Sequence, residues 1–271
     1  MTRRWSLVGL IVALAAALSF VVFGMGFDSD GGAEAASEKK AQPAKGAPAK
    51  PQANLKGMAW WPAHEKSGAV VADAVGNNDA QLRGQVARVA GPGGVSLQLD
   101  GATGFALVDK PLLDTSTKDF SVAARVRIDG KGFRAAVSMD GDQHSVFFLQ
   151  YEETDRRFAF SFINARAVAG QLGEPELGRW YHLLGTYSHA SQTLSIYVDG
   201  KLAGTNKAKN VERGTGPLVI GRGKFEGKEV DFWSGGIADV HLFDRAVNAA
   251  DAAALAAKEP VVSAKPPAPS K

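Results

Sequence analysis

The 271-residue chain contains no cysteine, which excludes disulfides, thiolate metal sites and redox chemistry on sulfur. Histidine is scarce too. His64, His144, His182, His189 and His241 are scattered, with no pair at metal-ligand spacing. Ser138 and Ser145 flank His144, but neither sits in a Gly-x-Ser-x-Gly elbow, so no nucleophilic triad is expected. Concentrated positive charge is missing as well, although the formal net charge is +3. Ten of the 31 basic and five of the 28 acidic side chains lie outside residues 57–257, leaving that stretch at a net charge of −2. A duplex-binding domain needs clustered cations to displace counterions, so no nucleic-acid partner is expected.

What is present is unevenly distributed. Arg3 and Arg4 precede 23 uncharged residues, Trp5 to Phe27. About 20 apolar residues span a bilayer, and leading arginines stay cytoplasmic, so residues 1–27 read as a transmembrane or signal anchor. A cut near Ala35, after a small-x-small pattern, would instead release a secreted protein. Either way the domain is expected outside the cytoplasm. Residues 28–56 read as an Ala/Lys/Pro linker that cannot bury enough apolar surface to fold. Residues 251–271 read as a short helix and a Pro-rich tail.

Residues 57–250 have the marks of an all-β antiparallel sandwich. Phe120, Val122, Ala124, Val126 and Ile128 alternate with Ser121, Ala123, Arg125 and Arg127, giving one core face and one wet face. In Arg179 to Tyr187, Trp180, His182, Leu184 and Thr186 share a face. Leu194, Ile196 and Val198 share another, and Asp199-Gly200 supplies a tight hairpin turn. Val146 to Tyr151 and Phe158 to Ile163 flank the polar turn Glu152 to Arg157 as a second hairpin. Many short strands with regular turns predict a sandwich or barrel.

The ordered pieces carry a resemblance. Ala59-Trp60-Trp61-Pro62, Gly76-Asn77-Asn78-Asp79, Val95-Ser96-Leu97-Gln98-Leu99-Asp100-Gly101 and Asp119-Phe120-Ser121-Val122 come first. Arg179-Trp180-Tyr181-His182, Tyr197-Val198-Asp199-Gly200 and Gly236-Ile237-Ala238-Asp239-Val240 follow. Together they resemble bacterial laminin-G-like jelly rolls of the concanavalin A-like lectin/glucanase superfamily. That resemblance implies two packed antiparallel sheets with ligand loops at an edge. It leaves function open, because one fold serves many roles.

The resemblance also implies a structural calcium, held by the loop of Asp73, Asn77 and Asp79 and by an acid on the last strand. Hard oxygen ligands suit calcium. The last-strand acid is replaced by Ala238, and by strand alternation Asp239 points to the opposite face. A turn shaped by side-chain-to-backbone bonds is the favoured reading of the loop. Glucanases of the superfamily use a Glu-x-Asp-x-x-Glu strand. Here Glu153-Thr154-Asp155-Arg156-Arg157-Phe158 ends in Phe158 and sits in a turn, so no catalysis is expected.

For ligand binding, sugars need aromatic faces and a few oriented polar groups. Trp60 and Trp180 are expected in the core. Trp233, beside the Gly-rich run 221–227, is the exposed candidate. His182 is expected to be a hydrogen-bonded sheet histidine. Arg125 and Arg127 lie on the wet face, where relatives often carry Trp at the position of Arg125. They suit a polar or anionic ligand, with an ordinary solvated sheet face as the competing reading. The expected function is non-catalytic binding of carbohydrate or a cell-surface protein. A structural or protein-interaction domain is the alternative, and a glycoside hydrolase is a weaker one.

Overall fold

Strand propensity and alternation place most of this chain in sheets. The computed structural model describes residues 55–258. The expected anchor, nearly all of the linker and the Pro-rich tail from residue 259 fall outside the described residues. Among those described, no helix is long and apolar enough to cross a membrane.

The first six strands are β1 (Ala59–Trp61), β2 (Val70–Val71), β3 (Ala80–Arg83), β4 (Val86–Gly91), β5 (Gly94–Asp100) and β6 (Phe105–Val108). Next come β7 (Phe120–Ile128), β8 (Arg134–Asp140), β9 (Ser145–Glu152), β10 (Arg157–Phe162), β11 (Ala165–Val168) and β12 (Trp180–Ser188). The last are β13 (Thr193–Val198), β14 (Lys201–Lys207), β15 (Leu218–Ile220), β16 (Gly223–Phe225), β17 (Lys228–Val230) and β18 (Ser234–Phe243), before helix α1 (Ala249–Ala257).

Two eight-stranded antiparallel sheets form the sandwich. The first runs β14-β13-β12-β7-β18-β5-β4, with β1 also paired to β18. The second runs β11-β10-β9-β8-β15-β6-β3-β2, and β16 and β17 form a separate hairpin. The expected hairpins are present. Asp199 and Gly200 have φ of 48° and 76°, which the tight turn between β13 and β14 requires. Arg157 pairs with Glu152 at the start of β9–β10.

One continuous core lies between the sheets. Phe120, Val122, Val126 and Ile128 of the first sheet meet Phe147, Leu149, Phe158 and Phe160 of the second. The Phe120 ring lies 5.4 Å from that of Phe147 and 6.1 Å from that of Phe160. Each such ring, taken fully out of water, contributes about 1.5–3 kcal/mol. Gly185 is needed here: a Cβ would come within 2.3 Å of the Phe160 ring.

Helix α1 changes the expected organisation. Asn248 caps it by accepting from the Asp251 N–H at 2.9 Å, and Asp251 sits in the first turn, where a negative charge suits the helix dipole. Ala252 and Leu255 are buried against Ala123, Leu184, Tyr197 and Phe243 on the outer face of the first sheet. The helix therefore belongs to the sandwich, and the expected boundary at residue 250 cuts through it. Part of the face expected to be wet is dry for the same reason. Ala123 is fully buried, and Ser121 donates to the Arg245 carbonyl at 2.8 Å.

Candidate functional site

Helix α1 takes Arg125 out of solvent. Arg125 keeps only 13% of its side-chain exposure and donates to the Ala256 and Lys258 carbonyls at 3.0 and 2.6 Å. It holds the negative end of α1 rather than a ligand. Arg127 is engaged by Asp129 at 2.9 Å and by Gln98 at 2.6 Å, and its guanidinium lies 5.5 Å from the Trp180 ring centre. Trp180 is not in the core. It lies half-buried on this outer face, against Gly236.

Trp233 corrects the expectation most sharply. It is fully buried, its backbone N–H donates to the Gly221 carbonyl at 2.8 Å, and its indole N–H donates to the Arg127 carbonyl at 3.2 Å. Adjacency to a glycine-rich run in sequence did not place it on the surface. Trp61, not Trp60, is the core tryptophan of its pair. Trp60 is half-buried and stacks on His241 at 5.4 Å.

The last strand also departs from simple alternation. Its register shifts between Ala238 and His241, and Asp239 takes φ of 54°. This bulge turns the Asp239 carboxylate onto the side of Arg125, at 3.4 Å, instead of the opposite face. It accepts from Trp60 Nε1 at 2.7 Å and lies 3.0 Å from His241 Nε2. Burial would raise this carboxyl, but His241, Trp60 and Arg125 together hold it down to about 2. His182 lies in the same cluster. Its ring is not hydrogen-bonded as expected: it is 2% exposed, and among the described residues neither ring nitrogen has a partner. Burial, helped by Arg125, lowers its pKa to about 3, so it is neutral at pH 7.

The Asp73 loop does not fit a calcium ion. Asp73 Oδ1 accepts from the N–H groups of Trp60 and Val75, both at 3.0 Å. Oδ2 accepts from the Asn78 N–H at 3.2 Å and from Asn78 Nδ2 at 2.8 Å. Those four donors fill the lone-pair positions a metal would need. Asp79 accepts from the Asp73 N–H at 2.9 Å, and Asn77 is exposed.

The second sheet presents a different outer face. Along β9, Phe147, Leu149 and Tyr151 point into the core, which leaves Phe148, Gln150 and Glu152 outward. Register places Ser138 of β8 and Ser161 of β10 on either side of Phe148, with Arg166 of β11 beyond Ser161. Gln150 Nε2 and Arg166 Nε both donate to Ser161 Oγ, at 2.9 and 3.1 Å, and Arg166 pairs with Glu152 at 3.1 Å. Burial would raise the Glu152 carboxyl, but the Asp155 and Thr154 donors and Arg166 hold it below its usual value.

The β16–β17 hairpin stands over this face. Its turn residues Glu226 and Gly227 have φ of 50° and 74°. Gly223 lets the hairpin settle, since a Cβ there would come within 2.7 Å of the Phe148 ring. His144 supports the Phe225 ring at 4.7 Å. The result is a cleft of about 290 Å³, with Phe148, Gln150 and Ser161 on its floor and Phe133, Ile163 and Phe225 on its walls. The three wall residues are 42–45% exposed, so their apolar faces stand in solvent. None of them is distinguished in the sequence. The available signal was an isolated aromatic beside a glycine turn, Gly132-Phe133 and Phe225-Glu226-Gly227.

A larger cleft of about 490 Å³ opens at the sandwich edge. Arg179 in its lining pairs with Asp199 at 3.0 Å and lies over the Tyr181 ring at 4.4 Å.

A family model described as concanavalin A-like lectin/glucanases superfamily matches residues 99–253. The chain belongs to this superfamily. Solved structures of similar fold include the Trypanosoma rangeli sialidase, at 21% identity and a TM-score of 0.54, covering 78% of this chain and 35% of the sialidase. Domain 4 of AbnA, an extracellular GH43 arabinanase of Geobacillus stearothermophilus, solved with arabinotriose, matches at 16% identity and a TM-score of 0.51. That match covers 64% of this chain and 82% of the domain. The binding domain of Paraclostridial Mosquitocidal Protein 1 matches at 14% identity and a TM-score of 0.55, over 73% of this chain and 51% of that one. The chain spans about a third of the sialidase's length. At these identities the likeness is one of fold. No curated protein sequence matches the chain.

Proposed function

We propose that this superfamily member binds carbohydrate, without catalysis, in the cleft between the outer face of β8–β10 and the β16–β17 hairpin. The observation that carries the reading is the exposed pair Phe133 and Phe225 over a floor of Gln150 and Ser161. Apolar ring faces meet the C–H faces of a sugar, while the floor groups orient its hydroxyls. The fold-level likeness to a domain solved with arabinotriose supports the same reading.

Glycoside hydrolysis needs two carboxyls flanking the bond. Asp231 is the one carboxyl among the cleft-lining residues. Glu152 lies alongside but is fully buried and committed to Arg166. The apolar segment 5–27 would hold the domain at the outer face of a membrane, and tethering would raise its effective concentration against surface glycans. A protein-interaction role is favoured by Leu172 and Leu177, 41% and 52% exposed, at or near the edge cleft.

Glycan-array screening followed by calorimetry tests the proposal. Phe225→Ala is expected to weaken the tightest ligand about tenfold, the scale of a lost stacking contact, with little change in melting midpoint. Binding that survives both Phe225→Ala and Phe133→Ala moves the site elsewhere.

A further inference from the structure

The charged groups around the cleft are unequal in what they have left to offer. Arg166 is committed twice, to buried Glu152 at 3.1 Å and to Ser161 at 3.1 Å. Its charge is neutralised in place. Arg134, on β8, donates to the Lys131, Gly101 and Phe232 carbonyls at 3.0, 3.1 and 2.8 Å. Asp231 is the opposite case: among the described residues, no hydrogen bond reaches its carboxylate.

The backbone holds Asp231 firmly. Its carbonyl accepts from the Ala135 N–H of β8 at 2.8 Å, and its φ is 55°, a conformation that non-glycine residues seldom adopt and that Asp and Asn tolerate best. The residue lines the cleft together with Phe133, Phe148 and Phe225. Burial pushes its carboxyl above the usual range, with Arg134 opposing. An acceptor in those surroundings gains from hydrogen-bond donors supplied by a ligand.

Resting on the carbohydrate reading above, we propose that the cleft selects neutral oligosaccharides over acidic ones, with Asp231 as the discriminating residue. A neutral sugar offers hydroxyl donors, and bonds from them to a carboxylate are about twice as strong as bonds between neutral groups. A uronate or sialate brings a second negative charge to a cleft whose cation is already paired, where like charges repel.

The test uses the full chain and an array of neutral oligosaccharides matched to their uronate counterparts, with calorimetry on the tightest pair. The neutral member is expected to bind at least about tenfold tighter. Asp231→Asn keeps the shape and tolerates the same φ. It is expected to weaken the neutral ligand and bring the neutral-to-acidic ratio to within about threefold. An acidic member that binds as tightly as its neutral partner overturns the selectivity and leaves carbohydrate binding standing. A ratio that Asp231→Asn leaves unchanged overturns the role of Asp231 and likewise leaves carbohydrate binding standing. Failure of both halves of the array to bind overturns the carbohydrate reading and this inference with it.

Discussion

The two outer faces of the sandwich are built by the same rule and end differently. On both, every second residue of a strand points away from the shared core. On the first sheet these residues are Ala123, Arg125, His182, Leu184 and His241, and helix α1 lies over part of them. On the second they are Phe148, Gln150, Ser161 and Arg166, and only a narrow hairpin stands beside them. The lesson is that an outward position becomes a site only when nothing of the chain's own occupies it. The first face spends its polar groups on holding a helix. The second keeps the rings of Phe133 and Phe225 in solvent above a floor of Gln150 and Ser161.

The contrast can be broken most forcefully at Leu255. Leu255→Ala opens a void under α1 and is expected to cost about 2–5 kcal/mol, read as a lower midpoint in denaturant. Glycan affinity at the far face should hold. A matching loss of affinity in folded protein would mean that the faces are not independent.

Acid gives the next largest effect. His182 titrates near 6.5 when unfolded and at about 3 when folded, because burial and then Arg125 disfavour its charged form. Between those values the unfolded chain binds the extra proton, so the contribution is complete above pH 6.5 and drains away as pH falls toward 3. Stability is expected to drop by about 1.4 kcal/mol per pH unit from 6.5 down to about 4.5, above the carboxylate range. His182→Phe should remove that slope in chemical denaturation. An unaltered slope would show that His182 is not the group responsible.

The smallest effect is expected at Arg127, which a sequence reader would place in a binding face. Its ion pair with Asp129 is partly exposed, at 23% and 31%. Arg127→Ala should cost no more than about 1 kcal/mol and leave glycan binding unchanged. A clear loss of binding would return the site to the first sheet.

The frame was legible because alternation reports burial directly. The pattern Phe120 to Ile128 appears as β7, and Leu194 to Val198 lies within β13. Alternation cannot say what covers the other face, which is why Arg125 read as solvent-facing and His182 as hydrogen-bonded. The short strands β16 and β17, Gly-Lys-Phe and Lys-Glu-Val, carry too few residues to show a period. The cleft they help to form was hidden with them. Trp233 and Asp231 stand two residues apart and go to opposite fates, one sealed in the core and one lining the cleft. That outcome depends on how the hairpin docks, and no local pattern encodes it.

The placement of the chain's ends has a consequence for orientation. Leu55 packs against the apolar patch beneath α1, and Lys258, just past the helix, gives its carbonyl to Arg125. Entry and exit therefore share one side of the molecule. The mouth formed by Phe133 and Phe225 opens on the outer face of the other sheet, so neither end of the described chain crowds it.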